Sequence, residues 1–237
     1  MAVLHLPIKP HPRLASAMRW GELSLIPLSN DLAALIAWRT GLDLFPLLAA
    51  FLYIYIGLRH LRVWGLQLRW AWSSVGLAGL AGLLLAAPTL IFFVHPLFVG
   101  HVQTSPVTPL TVGALNGLFH QVLFQLPVAT AIVEELVFRA FLYVELRTLP
   151  RTLTLNAALF TLWHVAAGFL AVRGTAFGRN PGLFILAYAG SLASVFVGGL
   201  VFAFVRHKTG SFVYSALTHW ICDATILIAL FATAHIA

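Results

Sequence analysis

Six ionisable side chains stand inside otherwise apolar runs of this 237-residue chain, and their types and spacing suit the activation of a water molecule. The stretch 132–141 reads IVEELVFRAF. On a helix, Glu135 and Arg139 are i,i+4 neighbours with the acid N-terminal to the base, the favoured order, so the two account for one another as a structural pair. Glu134 projects about 100° away at 3.6 residues per turn and is left without that partner. In NAALFTLWH, the residues Asn156, Phe160 and His164 recur at i, i+4, i+8 along one stripe. In HWICD, His219 and Asp223 are i,i+4 and share a face. A desolvated glutamate gains basicity, and a nearby imidazole holds the water or stabilises the charge that develops. Hydrolysis of a peptide bond also needs a donor for the oxyanion, a task His219 suits. Glu134, His164, His219 and Asp223 are equally an N/O set suitable for zinc. The metal-free arrangement is the one favoured here. Cys222, three residues after His219, reads as packing rather than as a thiol nucleophile.

These groups need helices to carry them, and composition says where those helices lie. The chain is 60% hydrophobic and 9% charged, with a mean hydropathy of +0.93, which describes a polytopic membrane protein. Its net charge is +7, yet Lys and Arg fall mostly between apolar runs. They read as topology determinants and headgroup contacts, not as a nucleic-acid footprint. One cysteine excludes a disulfide framework. Prolines at 7, 10 and 12 interrupt the N-terminus, and no cleavable signal peptide is read there.

Runs long enough to cross the hydrocarbon lie at about 41–60, 71–94, 110–147, 152–170, 183–205 and 211–235. The third is too long for one perpendicular span, and Pro127 is expected to break or kink it. The expectation is therefore an all-α transmembrane bundle of six to eight membrane helices. Residues 1–40 form an interfacial or partly inserted segment, and 41–237 a single transmembrane domain. Arg59, Arg62, Arg69, Arg147, Arg151, Arg206 and Lys208 mark one side as cytoplasmic, while Arg173 and Arg179 fall on the other. Counted from Arg147, Arg151 and Lys208, the residues Glu134, His164 and His219 all lie roughly 16 to 20 Å deep at 1.5 Å per residue. Charged groups at such depth cost about 2.5 to 3.5 kcal/mol each on insertion scales, so they need partners or a task.

EELVFR, FTLWH and HWICD, in order on separate apolar helices, fit the EExxxR, FxxxH and HxxxD/N patterns. In these three motifs, over about residues 115–235, the chain resembles the CPBP intramembrane proteases. That family includes the type II CAAX prenyl endopeptidases and bacterial relatives linked to bacteriocin immunity and peptide processing. The resemblance implies a membrane-embedded endopeptidase of a bacterial or archaeal cytoplasmic membrane, acting on a membrane protein or peptide. It implies that Glu134 activates water with help from His164, and that His219 and Asp223 bind the oxyanion or orient the site. Glu135 and Arg139 become the structural pair, with Asn156 and Phe160 in support. Where this chain has Asp223, the CAAX-cleaving members usually have asparagine. An ionised aspartate donates no hydrogen bond, so peptides other than prenylated CAAX substrates are expected. Two other readings are a non-catalytic scaffold or bacteriocin-immunity protein retaining the fold, and a haem or ion carrier using His120, His164 and His219.

Overall fold

In a computed structural model the described residues are 16–42, 44, 47–48, 51–52, 71–94, 115–146 and 151–236, and every element among them is helical. Helix α1 is Ser16–Thr40 and α2 is Trp72–Val94. Helix α3 covers 115–146 and changes its winding along its length. Turns of α-helix at Leu115–His120, Ile132–Glu135 and Tyr143–Leu146 alternate with π-helix at Gln121–Ala131 and Leu136–Leu142. Helices α4, Thr152–Trp163, and α5, Val165–Arg173, meet at a bend of 48°. A short 3-10 turn, Ala176–Arg179, leads to α6, Pro181–Thr209, and α7 is Phe212–Ile236.

Local chemistry sets these ends. Asn180 caps α6 by accepting from the Gly182 and Leu183 N–H groups, and Pro181 takes the first position, where its missing N–H costs nothing. Gly210 ends the helix at φ 73°, a conformation glycine adopts freely, and its N–H returns to the Arg206 carbonyl.

Of the break or kink expected at Pro127, the break does not occur; the winding changes there to a π register. The residue sits inside continuous helix, and the Ile132 N–H reaches five residues back to the Pro127 carbonyl. A π turn is a local distortion within a continuous helix, and the whole of Gly117–Leu146 runs as one apolar helix.

Among the described residues, three helices are long and apolar enough to cross a membrane: Gly117–Leu146, Pro181–Thr209 and Phe212–Ala232. A fourth results if the bent pair α4 and α5 is one span. The apolar part of α2, Trp72–Pro88, is shorter, and the run at about 41–60 lies mostly outside the described residues. The count among these residues is thus three to four, below the six to eight expected.

Small residues let the helices approach. Ala78 and Ala86 on α2 are fully buried, and a Cβ on Gly82 would stand 2.7 Å from the Thr218 carbonyl of α7. Close approach of this kind is how helices gain contact where lipid removes the hydrophobic drive between them. A cluster of Phe138, Phe141, Leu142, Phe160, Trp163 and Phe202 fills the centre between α3, α4 and α6. At one end of the bundle the Arg206 side chain donates to the Arg139 carbonyl, and the Tyr143 hydroxyl meets His207 Nδ1 at 2.8 Å. The ends of α3 and α6 therefore lie at one level, as the loop charges suggest.

Candidate active site

Both glutamates of α3 are buried, at 4% exposure for Glu134 and 0% for Glu135, and the angle between them sends each to different neighbours. Glu135 Oε1 is 3.0 Å from the Arg139 guanidinium, the expected pair. The same oxygen is 3.1 Å from His219 Nδ1, and Ser215 Oγ donates to Oε2. Arg139 is fully buried, donates to the Gly199 carbonyl at 3.1 Å, and lies 4.3 Å from the Phe160 ring centroid. The buried ion pair, with these further donors and acceptors, fixes α3 against α6 and α7.

Glu134 looks the other way. Its Oε1 accepts from the Trp163 indole N–H at 3.1 Å. Among the described residues its Oε2 has no hydrogen-bond partner, although His164 Nε2 is 3.6 Å away and His219 Nε2 is 3.9 Å away. These gaps exceed hydrogen-bond length, yet each is short enough for a water to sit between.

The tautomer of His164 follows from its other nitrogen. Nδ1 lies 2.8 Å from the Phe160 carbonyl, which only accepts, so Nδ1 carries the proton. In the neutral ring Nε2 then faces Glu134 with a lone pair, and a water donating to both Nε2 and Oε2 satisfies the two acceptors at once.

His219 is held from three sides. Glu135 takes Nδ1, Asp223 Oδ2 is 3.3 Å from Nε2, and the ring stacks on Phe202 with centroids 4.5 Å apart. Doubly protonated, this imidazole donates at both nitrogens. Phe160 separates the two imidazoles, at 4.6 Å from His164 and 5.9 Å from His219. Asn156 is buried and donates to the Phe138 carbonyl at 2.6 Å, tying α4 to the π segment of α3.

Two cavities meet at this point. One of about 290 Å³ is bounded by Glu134, His164, His219 and Asp223 together with Leu85, Val195 and Ile226. The other, about 310 Å³, lies toward α1 against Ala33, Ala34 and Ala37, and Thr130, Glu134 and His164 line both. Cys222, next to Asp223, also lines the first cavity.

The structure thus brings together all four side chains expected to do chemistry and the four expected to support them. His120 is exposed and lines neither cavity, so it is not gathered with His164 and His219. Among the described residues, no three His, Cys, Asp or Glu side chains are arranged to hold a metal ion. Trp163 and Ser215 escape the sequence reading. The signals were present: an indole N–H in an apolar span needs an acceptor, and Ser215 stands one helical turn before His219.

Residues 116–225 match the family model described as type II CAAX prenyl endopeptidase Rce1-like. No curated protein and no solved structure matches the chain.

Proposed function

We propose, with the Rce1-like type II CAAX protease family to which residues 116–225 belong as premise, that the protein is an intramembrane endopeptidase that hydrolyses peptide bonds by glutamate-activated water. The observation that carries this reading is the unbonded Glu134 Oε2, set between two imidazole nitrogens inside a cavity.

In this mechanism a water bridges Glu134 Oε2 and His164 Nε2. Glu134 takes a proton as the water oxygen attacks the substrate carbonyl carbon. The oxyanion so formed accepts an N–H from protonated His219, whose other nitrogen is anchored on Glu135. Glu134 then returns its proton to the amide nitrogen, the oxyanion re-forms the carbonyl as the C–N bond breaks, and the amine and carboxylic acid products separate. Asp223 positions His219 from within the same helix. A helical substrate must unwind first, because its backbone groups are already paired in the bilayer. The absence of an asparagine at 223 favours substrates other than prenylated CAAX peptides.

The test compares membrane peptides from cells holding the wild-type chain, Glu134→Ala and His164→Ala. Fragments present only with the wild type are expected, and they persist when 1,10-phenanthroline is added. Identical peptide sets in all three, or a cellular phenotype that survives both substitutions, would sink the reading in favour of a scaffold.

A further inference from the structure

Helix α1 lies outside the matched segment and still reaches the site. The bend between α4 and α5 falls at His164, where φ −105° and ψ 5° leave the helical region. Such a break takes backbone groups on either side of it out of the regular helical ladder. Two of these groups are met by consecutive residues of α1. The Asn30 side-chain amide donates to the Trp163 carbonyl at 2.7 Å, and Asp31 Oδ1 accepts from the Ala166 N–H at 2.7 Å.

We propose that Asn30 and Asp31 are positioning residues, a two-point clip that fixes the bend and so aims His164 and Glu134 at the same water. This rests on the proteolytic reading above.

The clip grips the chain immediately before His164 and two residues after it, so it sets the backbone from which the imidazole projects, while the ring itself is held by its Nδ1 bond to the Phe160 carbonyl. It reaches Glu134 as well. Asn30 holds the backbone of Trp163, and the indole of the same residue donates to Glu134 Oε1. Both α1 residues are buried, at 7% and 8% exposure, and two buried polar residues side by side on one helix require a reason. Burial raises the Asp31 carboxyl above its ordinary range, against the lowering pull of the Ala166 N–H and of His164. In either protonation state an oxygen remains to accept.

Near-isosteric exchanges separate the roles. Asn30→Asp removes the amide donor and sets a carboxyl against a carbonyl, whereas Asp31→Asn keeps an acceptor and Asp31→Leu does not. The full-length protein in detergent is treated with diethylpyrocarbonate, and carbethoxylation of His164 is read by mass spectrometry as a ratio to His219. Loss of the clip changes the labelling of His164 and so the ratio while His219 keeps its wild-type labelling, whereas general unfolding also raises the labelling of His219. Peptide cleavage gives kcat and KM in parallel.

For Asn30→Asp and Asp31→Leu the ratio is expected to change about threefold or more, with kcat down roughly 10- to 100-fold and KM within about twofold. Asp31→Asn is expected to match the wild type in both readouts. Unchanged ratio and kcat in Asn30→Asp would overturn the clip. So would Asp31→Asn failing as badly as Asp31→Leu, a comparison that stands even if Asn30→Asp does not fold. If the wild type shows no Glu134-dependent cleavage, the protease reading fails, while the labelling ratio still decides the clip.

Discussion

Replacing Glu134 by Gln and Arg139 by Met each removes one charge from α3, and the two changes are expected to fail in different ways. The amide introduced by Glu134→Gln still offers an oxygen to the Trp163 indole, so this variant is expected to keep a melting temperature near that of the wild type. Activity should fall by roughly 10²- to 10⁴-fold, the usual span for loss of a general base. Arg139→Met leaves Glu135 buried beside Ser215 and His219 without its cation, which costs about 3–5 kcal/mol. A thermal melt in detergent reads that loss before any assay does. At this scale the Glu135–Arg139 pair was legible because it is one helical turn long. The bond from His219 to Glu135 was not, since 84 positions separate the partners and only tertiary packing brings them together. The contacts of Asn30 and Asp31, 133 and 135 positions from their partners, were hidden for the same reason.

Helix approach sets the position of His219. Gly82 lies where a Cβ would stand 2.7 Å from the Thr218 carbonyl and 2.9 Å from Ile221, and Thr218 immediately precedes His219. Gly82→Val must push α2 and α7 apart, at about 1–3 kcal/mol for overpacking. Activity is expected to drop further than that stability loss alone accounts for, which parallel melting and cleavage measurements on the variant will compare. The ends of α6 are set by local capping at Asn180, Pro181 and Gly210, a signal that a reading of apolar runs at about 183–205 and 211–235 passes over. At Pro127 composition marks a disturbance of the helix but not its kind, a break or a continuous π-wound stretch. Only the hydrogen-bond register distinguishes the two, and composition does not encode it.

Across the whole molecule the two cavities share Thr130, Glu134 and His164, so a peptide laid from one to the other passes the unbonded carboxylate oxygen. Ala34 borders the side toward α1. Ala34→Phe is expected to lower kcat/KM by roughly 10-fold or more for peptides with a large residue on that side, with small-residue peptides and the melting temperature little changed. A panel of peptides differing at one position checks this. The membrane character of the chain was plain from composition, and the gathering of Glu134, His164 and His219 was expected from their common depth taken with the three motifs that carry them. The bend at His164 was hidden, because α4 and α5 read as one continuous apolar run. The buried ion pair has a consequence for how the chain is made. Arg139 and Glu135 find Gly199, Ser215 and His219 only 60 to 84 residues later. Helix α3 therefore leaves the ribosome with its polar middle half answered, and it must be sheltered from lipid until α6 and α7 have been synthesised beside it.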